Sequence, residues 1–368
     1  MLSFWETNSF IQYDYIVIGA GITGLSVACE LKEQFPHKKV LVLERGILPT
    51  GASTKNAGFA CIGSLSEKVH DLQLMGEEKL LQLIEDRWIG LQLLRKRLGD
   101  VAIGFESYGG YEMVFKNQDD SFLESLETMN ARMQAIFNKN IFSTTTNSFG
   151  FSDKHVKYLI YNQVEGQVDT GKMMDSLWQY TQSLGVKIIT GAEVTSIENN
   201  AQHAAVHLKE ISFKAQQVCI CTNAFTKTLL PNIELNPGRG QVIATAPILD
   251  LKIKGIFFFD EGYYYFKNFE NRIIFGGGRN LDFETEHTTA FGSNQKILAQ
   301  LNYYLKEVIL PNTSFTISHQ WSGIMAFGEN KLPLVERVNE RQVLGVRLNG
   351  MGVALGSKIA KDLVKILG

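Results

Sequence analysis

Tyr13-Asp14-Tyr15-Ile16-Val17-Ile18 runs straight into Gly19-Ala20-Gly21-Ile22-Thr23-Gly24, and this junction decides the fold. The first six residues are a β-rich apolar run. From Leu25 to Phe35 the residues Leu25, Ala28, Cys29 and Leu31 recur at helical spacing, so the order is strand, glycine turn, helix. Pro36-His37 breaks the helix, and a second strand from Lys39 to Leu43 finishes on Glu44, 20 residues beyond Gly24. A glycine turn alone is a weak signal; strand, helix, second strand and terminal acid together specify a dinucleotide-binding βαβ unit. There Gly19 permits the tight turn, Gly21 lets the backbone approach a pyrophosphate at the helix N-terminus, and Gly24 lets the helix pack close to the strand. Glu44 is placed to accept hydrogen bonds from the adenosine ribose hydroxyls, and its charge repels a 2′-phosphate.

A chain of 368 residues is too long for one core and calls for two domains. Its 45% hydrophobic and 20% charged residues suit a globular enzyme, and a net charge of −2 leaves no footprint for nucleic acid or an anionic membrane. Nowhere do the ~18 consecutive apolar residues of a spanning helix occur. The first ten residues carry Glu6 and lack a basic start, so they do not read as a signal peptide. The four cysteines have no metal-type spacing; Cys219 and Cys221 fall on one face of a strand and read as reduced core thiols, with a redox pair as the other reading. Cytoplasm is the default compartment.

Further along, Val168-Asp169-Thr170 caps a helix from about Gly171 to Leu184, followed by strands at 186–189 and 194–197. A strand from Val218 to Cys221 ends in Thr222-Asn223-Ala224, small polar residues near where a dinucleotide sits. From Gln241 to Gly278 the pattern is antiparallel sheet, with a hairpin of Tyr263-Tyr264-Tyr265-Phe266 and Arg272-Ile273-Ile274-Phe275. Alternation puts Tyr264 and Phe266 on one face and Tyr263 and Tyr265 on the other. At the C-terminus Val343-Leu344-Gly345-Val346, Asn349-Gly350-Met351-Gly352-Val353 and a helix from Ala354 to Leu367 repeat the strand, turn, helix order. The stretch from Met113 to Phe151 carries no motif.

These residues resemble the D-amino-acid oxidase and glycine oxidase superfamily of FAD-dependent amine oxidoreductases. The resemblance spans nearly the whole chain and rests on Gly19 to Gly24 with Glu44-Arg45, on Gly51-Ala52-Ser53-Thr54-Lys55-Asn56-Ala57-Gly58, on Trp321-Ser322-Gly323, and on Asn349 to Gly356. The segments Ser3-Phe4-Trp5-Glu6, Pro237-Gly238-Arg239-Gly240-Gln241 and Phe275-Gly276-Gly277-Gly278 are similar to the γ-glutamylputrescine oxidoreductase branch. The resemblance implies an α/β fold: a discontinuous Rossmann-type FAD domain of residues 1–85, 152–230 and 321–368, and an antiparallel-sheet substrate domain of 86–151 and 231–320. It implies FAD contacts from Gly19, Gly21, Ile22, Thr23, Gly24, Glu44 and Arg45, from Ser53, Thr54, Asn56, Ala57 and Gly58, from Val194, Thr222, Asn223 and Ala224, and from Gly323 and the turn Gly350-Met351-Gly352-Val353. The second group decides FAD over NAD, since an extended FAD needs donors beyond the first turn.

Departures from the family pattern are informative. Relatives that hold flavin covalently do so through a His in the segment matching Ser53 to Gly58 or a Cys just after Trp321; Asn56 and the absence of a nearby Cys imply a non-covalent flavin. Amino-acid oxidases of the family carry an Arg that clamps the substrate carboxylate where this chain has Met325, and a thioether cannot replace a bidentate guanidinium. An amine or N-substituted amino compound is therefore expected over a free α-amino acid. Tyr264 and Arg279 match substrate-pocket positions in glycine oxidases, against readings as a core aromatic and a surface arginine; Arg347 is a further candidate for contact with flavin or substrate. Where related oxidases place a lysine beside the flavin this chain has Ile274, which implies slow reaction with oxygen; the acceptor is oxygen or a quinone. The implied reaction is hydride transfer from the carbon beside a neutral amine to flavin N5, giving an imine that water hydrolyses. A non-catalytic flavin subunit of a larger dehydrogenase and a flavin enzyme acting on modified tRNA are the alternatives. No Ser/His/Asp or Cys/His constellation and no metal site is expected.

Overall fold

A computed structural model describes residue 1 and residues 3–367. The N-terminal strand Gln12–Ile18 lies at the centre of a sheet in the order Leu334–Asn339, Gln342–Val346, Ser212–Ile220, Gln12–Ile18, Val40–Leu43, Lys187–Ile189. The last five run parallel, and Leu334–Asn339 is an antiparallel edge. Such strands are covered on both faces, which is why Ile16–Ile18 and Val40–Leu43 are continuous apolar runs. Helices Ile22–Gln34, Thr170–Ser183 and Gly352–Leu367 pack on one face, and the antiparallel pair Val194–Asn199 and Ala204–Leu208 is joined to Ser212–Ile220.

Local chemistry accounts for the boundaries. Asp169 caps its helix by accepting from Lys172 N at 3.0 Å. Ile22–Gln34 begins three residues before the apolar periodicity does, because the end of the glycine turn is already the first helical turn. Cys219 and Cys221 are buried in the same cluster between sheet and helices. Burial pushes every thiol up: Cys29 to about 11, Cys219 to about 12, Cys61 and Cys221 well above the usual value.

A second sheet of eight strands runs Ile317–Phe327, Asn236–Thr245, Arg272–Gly277, Tyr264–Phe269, Ile256–Phe259, Gly110–Phe115, Val156–Asn162, Phe142–Thr145. It is antiparallel except where Ile256–Phe259 pairs parallel with Gly110–Phe115. One face packs an aromatic core of Phe257, Phe259, Tyr264, Phe266 and Phe275 under helix Gln295–Tyr304. The other faces the first domain.

The expected domain boundaries shift. Val156–Asn162, assigned to the FAD part, pairs inside the second sheet, and so does 321–327 as part of Ile317–Phe327. Helix Glu77–Leu98 crosses the expected division at 85 and packs instead on the C-terminal helix, so closely that a Cβ on Gly90 would lie 2.1 Å from Ala354 O. Strand periodicity states that a segment is a strand but not which sheet it joins.

Candidate active site

One cavity of about 690 Å³ runs from the carboxyl ends of the parallel strands, between the two sheets, to the helix Leu65–Met75. At its first end the buried Glu44 carboxylate accepts from Ala20 N at 2.9 Å and Gly46 N at 3.0 Å, fixing it at the tip of the second strand with lone pairs to spare. Beside it Arg45 lies 3.5 Å over the Phe225 ring, and Val194, Thr222 and Asn223 continue the wall.

Gly21 starts the helix Ile22–Gln34 with no side-chain cap, so free N–H groups and the positive end of the helix dipole point at the cavity. Ser53 Oγ accepts from Ile22 N at 2.9 Å, and a Cβ on Gly21 would meet that same oxygen at 2.9 Å. The next segment is braced by Asn56: its Oδ1 accepts from Gly58 N at 2.8 Å and Thr170 Oγ1 at 3.0 Å, and its Nδ2 donates to Ser53 O at 2.6 Å. Trp321 Nε1 donates to Lys55 O at 2.9 Å and ties this segment to the second sheet. Opposite it, Asn349 and Gly350 are left-handed, at φ 50° and 83°, and turn the chain into helix Gly352–Leu367. A Cβ on Gly352 would meet nothing within 4 Å, so open space lies in front of that helix start.

Beyond the two glycine turns the wall is made by Phe258, Tyr265, Met325, Phe327 and Arg279. Arg279 stacks 3.9 Å over Phe327 and 4.7 Å over Phe283, and burial lowers its pKa. Among the described residues its guanidinium has no hydrogen-bond or ion-pair partner. The Tyr265 hydroxyl, pushed up to about 12 by burial, lies close enough to feel the Arg279 charge. The outer end is bounded by Glu67, His70, Glu261 and the segment Gly328 to Lys331. Lys331 spans it, reaching Glu67 at 3.1 Å and Asp71 at 2.8 Å, and His70 meets Glu261 at 3.4 Å. Lys331 and the Arg87 guanidinium hold the Glu67 carboxyl down to about 2 against its burial.

Most residues expected to hold the cofactor line this cavity: Gly19, Gly21, Ile22, Thr23, Glu44, Arg45, Ser53, Asn56, Ala57, Val194, Thr222, Asn223, Gly323 and Gly350 to Val353. Gly24, Thr54, Gly58 and Ala224 do not. Gly24 packs on Gly19 O, Thr54 Oγ1 returns to Pro49 O, Gly58 abuts Val168 O, and Ala224 is in the core. Tyr264 is a correction. It is 2% exposed, stacked on Phe259 at 4.8 Å with Tyr304 edge-on at 4.9 Å, and the alternation puts its neighbour Tyr265 in the cavity instead. Arg347 is another, since its guanidinium donates to Leu332 O at 3.1 Å and Glu234 O at 3.2 Å and braces the segment over the outer end. Ile274 is also outside the wall; it pairs across strands with Lys267. No sequence signal pointed to Phe327, Lys331 or the charged outer rim, which come from three distant segments. No group of three or more metal-ligating side chains occurs among the described residues, and no helix of theirs is long and apolar enough to cross a membrane.

Residues 14–366 match the family described as DAO, FAD dependent oxidoreductase. The chain belongs to that family. The lining fits that cofactor: a buried carboxylate at the tip of the second strand, glycine turns at the starts of the helices Ile22–Gln34 and Gly352–Leu367, and a cavity of about 690 Å³ that runs past both. FAD is therefore the cofactor of this oxidoreductase. The chain is 25% identical over 374 residues to a probable oxidoreductase, OrdL, of Haemophilus influenzae, covering 93% of this chain and 80% of that one. It is 27% identical over 243 residues to the bifunctional protein ThiO/ThiG of Synechocystis, with 63% of this chain matched to 33% of that longer protein. Among solved structures, L-proline dehydrogenase from P. horikoshii superposes with a TM-score of 0.78 at 17% identity, covering 97% of this chain and 93% of that one. Glycine oxidase from Geobacillus kaustophilus does so with 0.76 at 19% identity, covering 97% and 94%. At these identities the superpositions establish the fold, including the pairing of a parallel α/β sheet with a second, mostly antiparallel one.

Proposed function

We propose that the protein oxidises the C–N bond of a small amine or N-substituted amino compound carrying a carboxylate, giving an imine that water hydrolyses. The observation that carries this reading is Arg279: a half-buried guanidinium without an acceptor among the described residues, facing a cavity in which Met325 stands where amino-acid oxidases keep their clamp. An unsatisfied cation held by two aromatic rings is a built receptor for an anion. Bound FAD, held non-covalently, supplies the hydride acceptor.

The chain's residues supply position and environment. Arg279 fixes the substrate carboxylate, and the Tyr265 hydroxyl, protonated at neutral pH, donates to the same end. Phe258, Met325 and Phe327 keep water from the reacting carbon and favour the neutral amine, the form from which hydride can leave. Met325 fits against the C-terminal glycine turn, 3.5 Å from where a Gly350 Cβ would stand, so the clamp of simple α-amino acids has no counterpart on that side. An anaerobic screen of amines, N-alkyl amino acids and free amino acids for bleaching of the flavin tests the reading. Carboxylate-bearing secondary or N-substituted amines are expected to reduce fastest; glycine or D-alanine as best substrate would refute it.

A further inference from the structure

Lys267, in the strand Tyr264–Phe269, is 3% exposed, and the reaction described above makes no use of it. Its Nζ donates to Val168 O at 2.6 Å; among the described residues no carboxylate comes within ion-pairing distance, and Asp169 and Glu106 act on it only from farther off. An ammonium has three donors, so two are left over. Burying a cation without a paired anion is costly, and such a group survives where something else repays it. A Cβ on Gly58 would stand 2.7 Å from Nζ. Gly58, left-handed at φ 79°, follows Asn56 and Ala57, which line the cavity, so the charge stands directly behind the loop that forms this wall.

We infer that Lys267 is a positioning charge for the cofactor: it places a buried positive charge behind the Asn56-Ala57-Gly58 loop to offset the negative charge that flavin gains on reduction. The inference rests on FAD filling this cavity. Reduction by hydride brings two electrons and one proton from the substrate C–H bond, leaving the ring with one net negative charge and the substrate as an iminium. A fixed cation nearby favours that product over the oxidised ring and raises the reduction potential.

Lys267→Gln separates charge from packing, because the amide still offers Val168 O a donor. FAD content and circular dichroism are read first, then the two-electron potential and the affinity for sulfite, whose adduct places a negative charge on the ring. We expect a folded, FAD-loaded variant with sulfite affinity about ten-fold weaker and a potential about 30 mV lower, with both recovered in Lys267→Arg. Unchanged potential and sulfite affinity in a folded, loaded Lys267→Gln overturn the inference. If that variant does not accumulate, the wild type decides: a potential above that of free FAD in the same buffer supports the inference, and one at or below it overturns it. A wild-type protein that binds no FAD would overturn the cofactor assignment as well.

Discussion

Replacing Arg279 by Met removes a positive charge from the second-sheet wall of the cavity while leaving an unbranched side chain to pack on Phe327 and Phe283. A hydrogen bond to a charged group contributes about 1.5–3 kcal/mol, and each 1.4 kcal/mol is a factor of ten. A carboxylate-bearing substrate should therefore bind about 10- to 150-fold more weakly, with kcat at saturation changed much less. The fold should tolerate the change, because the lost cation–π attraction of about 1–2 kcal/mol is offset by no longer burying a cation that lacks an acceptor. The assay is titration of the oxidised flavin spectrum with a non-oxidisable carboxylate and with an uncharged amide of the same shape. Wild type should prefer the carboxylate by the factor above, and Arg279→Met should bind the two alike. Equal carboxylate affinity in both proteins would refute the assignment, as would an equal loss for the amide.

Three further expectations follow from the geometry. Gly21→Val places a branched side chain against Ser53 Oγ and the pyrophosphate path, so the folded variant should carry no FAD, whereas acid precipitation of wild type should release FAD into the supernatant; flavin in the variant, or flavin retained in the wild-type pellet, counts against the site or the non-covalent link. Tyr265→Phe should raise KM several-fold and Tyr264→Phe leave it unchanged, and the reverse pattern in steady-state kinetics would restore the reading from sequence. Glu165 Oε1 accepts from Ile62 N and Gly63 N in a buried site that pushes its carboxyl up to about 7. The folded state thus holds a proton that the unfolded chain has released, and stability should fall as pH rises from about 4.5 through 7; Lys68 titrates in the opposite sense, but only above about 8. Melting curves should show Glu165→Gln a few degrees more stable than wild type at pH 7.5 and equal to it near pH 4.5, and parallel profiles would refute the assignment.

The cofactor half of the site was legible because local rules write it. The turn at Gly19 to Gly24, the acid at Glu44 and the cap at Asp169 are each set by neighbours within a few residues, and their spacing survives into the structure. The substrate half is assembled across sheets, where sequence gives less. Alternation separated Tyr264 from Tyr265 but could not say which face of the hairpin met the cavity; that depends on helix Gln295–Tyr304 covering the other face. Arg347 looked like a ligand residue by its place beside the C-terminal turn, yet its left-handed backbone, φ 64°, turns the side chain towards Leu332 and Glu234. The reach of Lys331 to Glu67 and Asp71 joins segments more than 250 residues apart, and no pattern in either foretells it.

The state of the cysteines bears on how the protein survives its own chemistry. Thiolate is the form that reacts with alkylating agents and peroxides, and all four thiols are buried and held protonated well beyond neutral pH. Cys61 and Cys221 matter most, because both border the cavity. Kept neutral there, they offer little of the thiolate that an oxidant attacks.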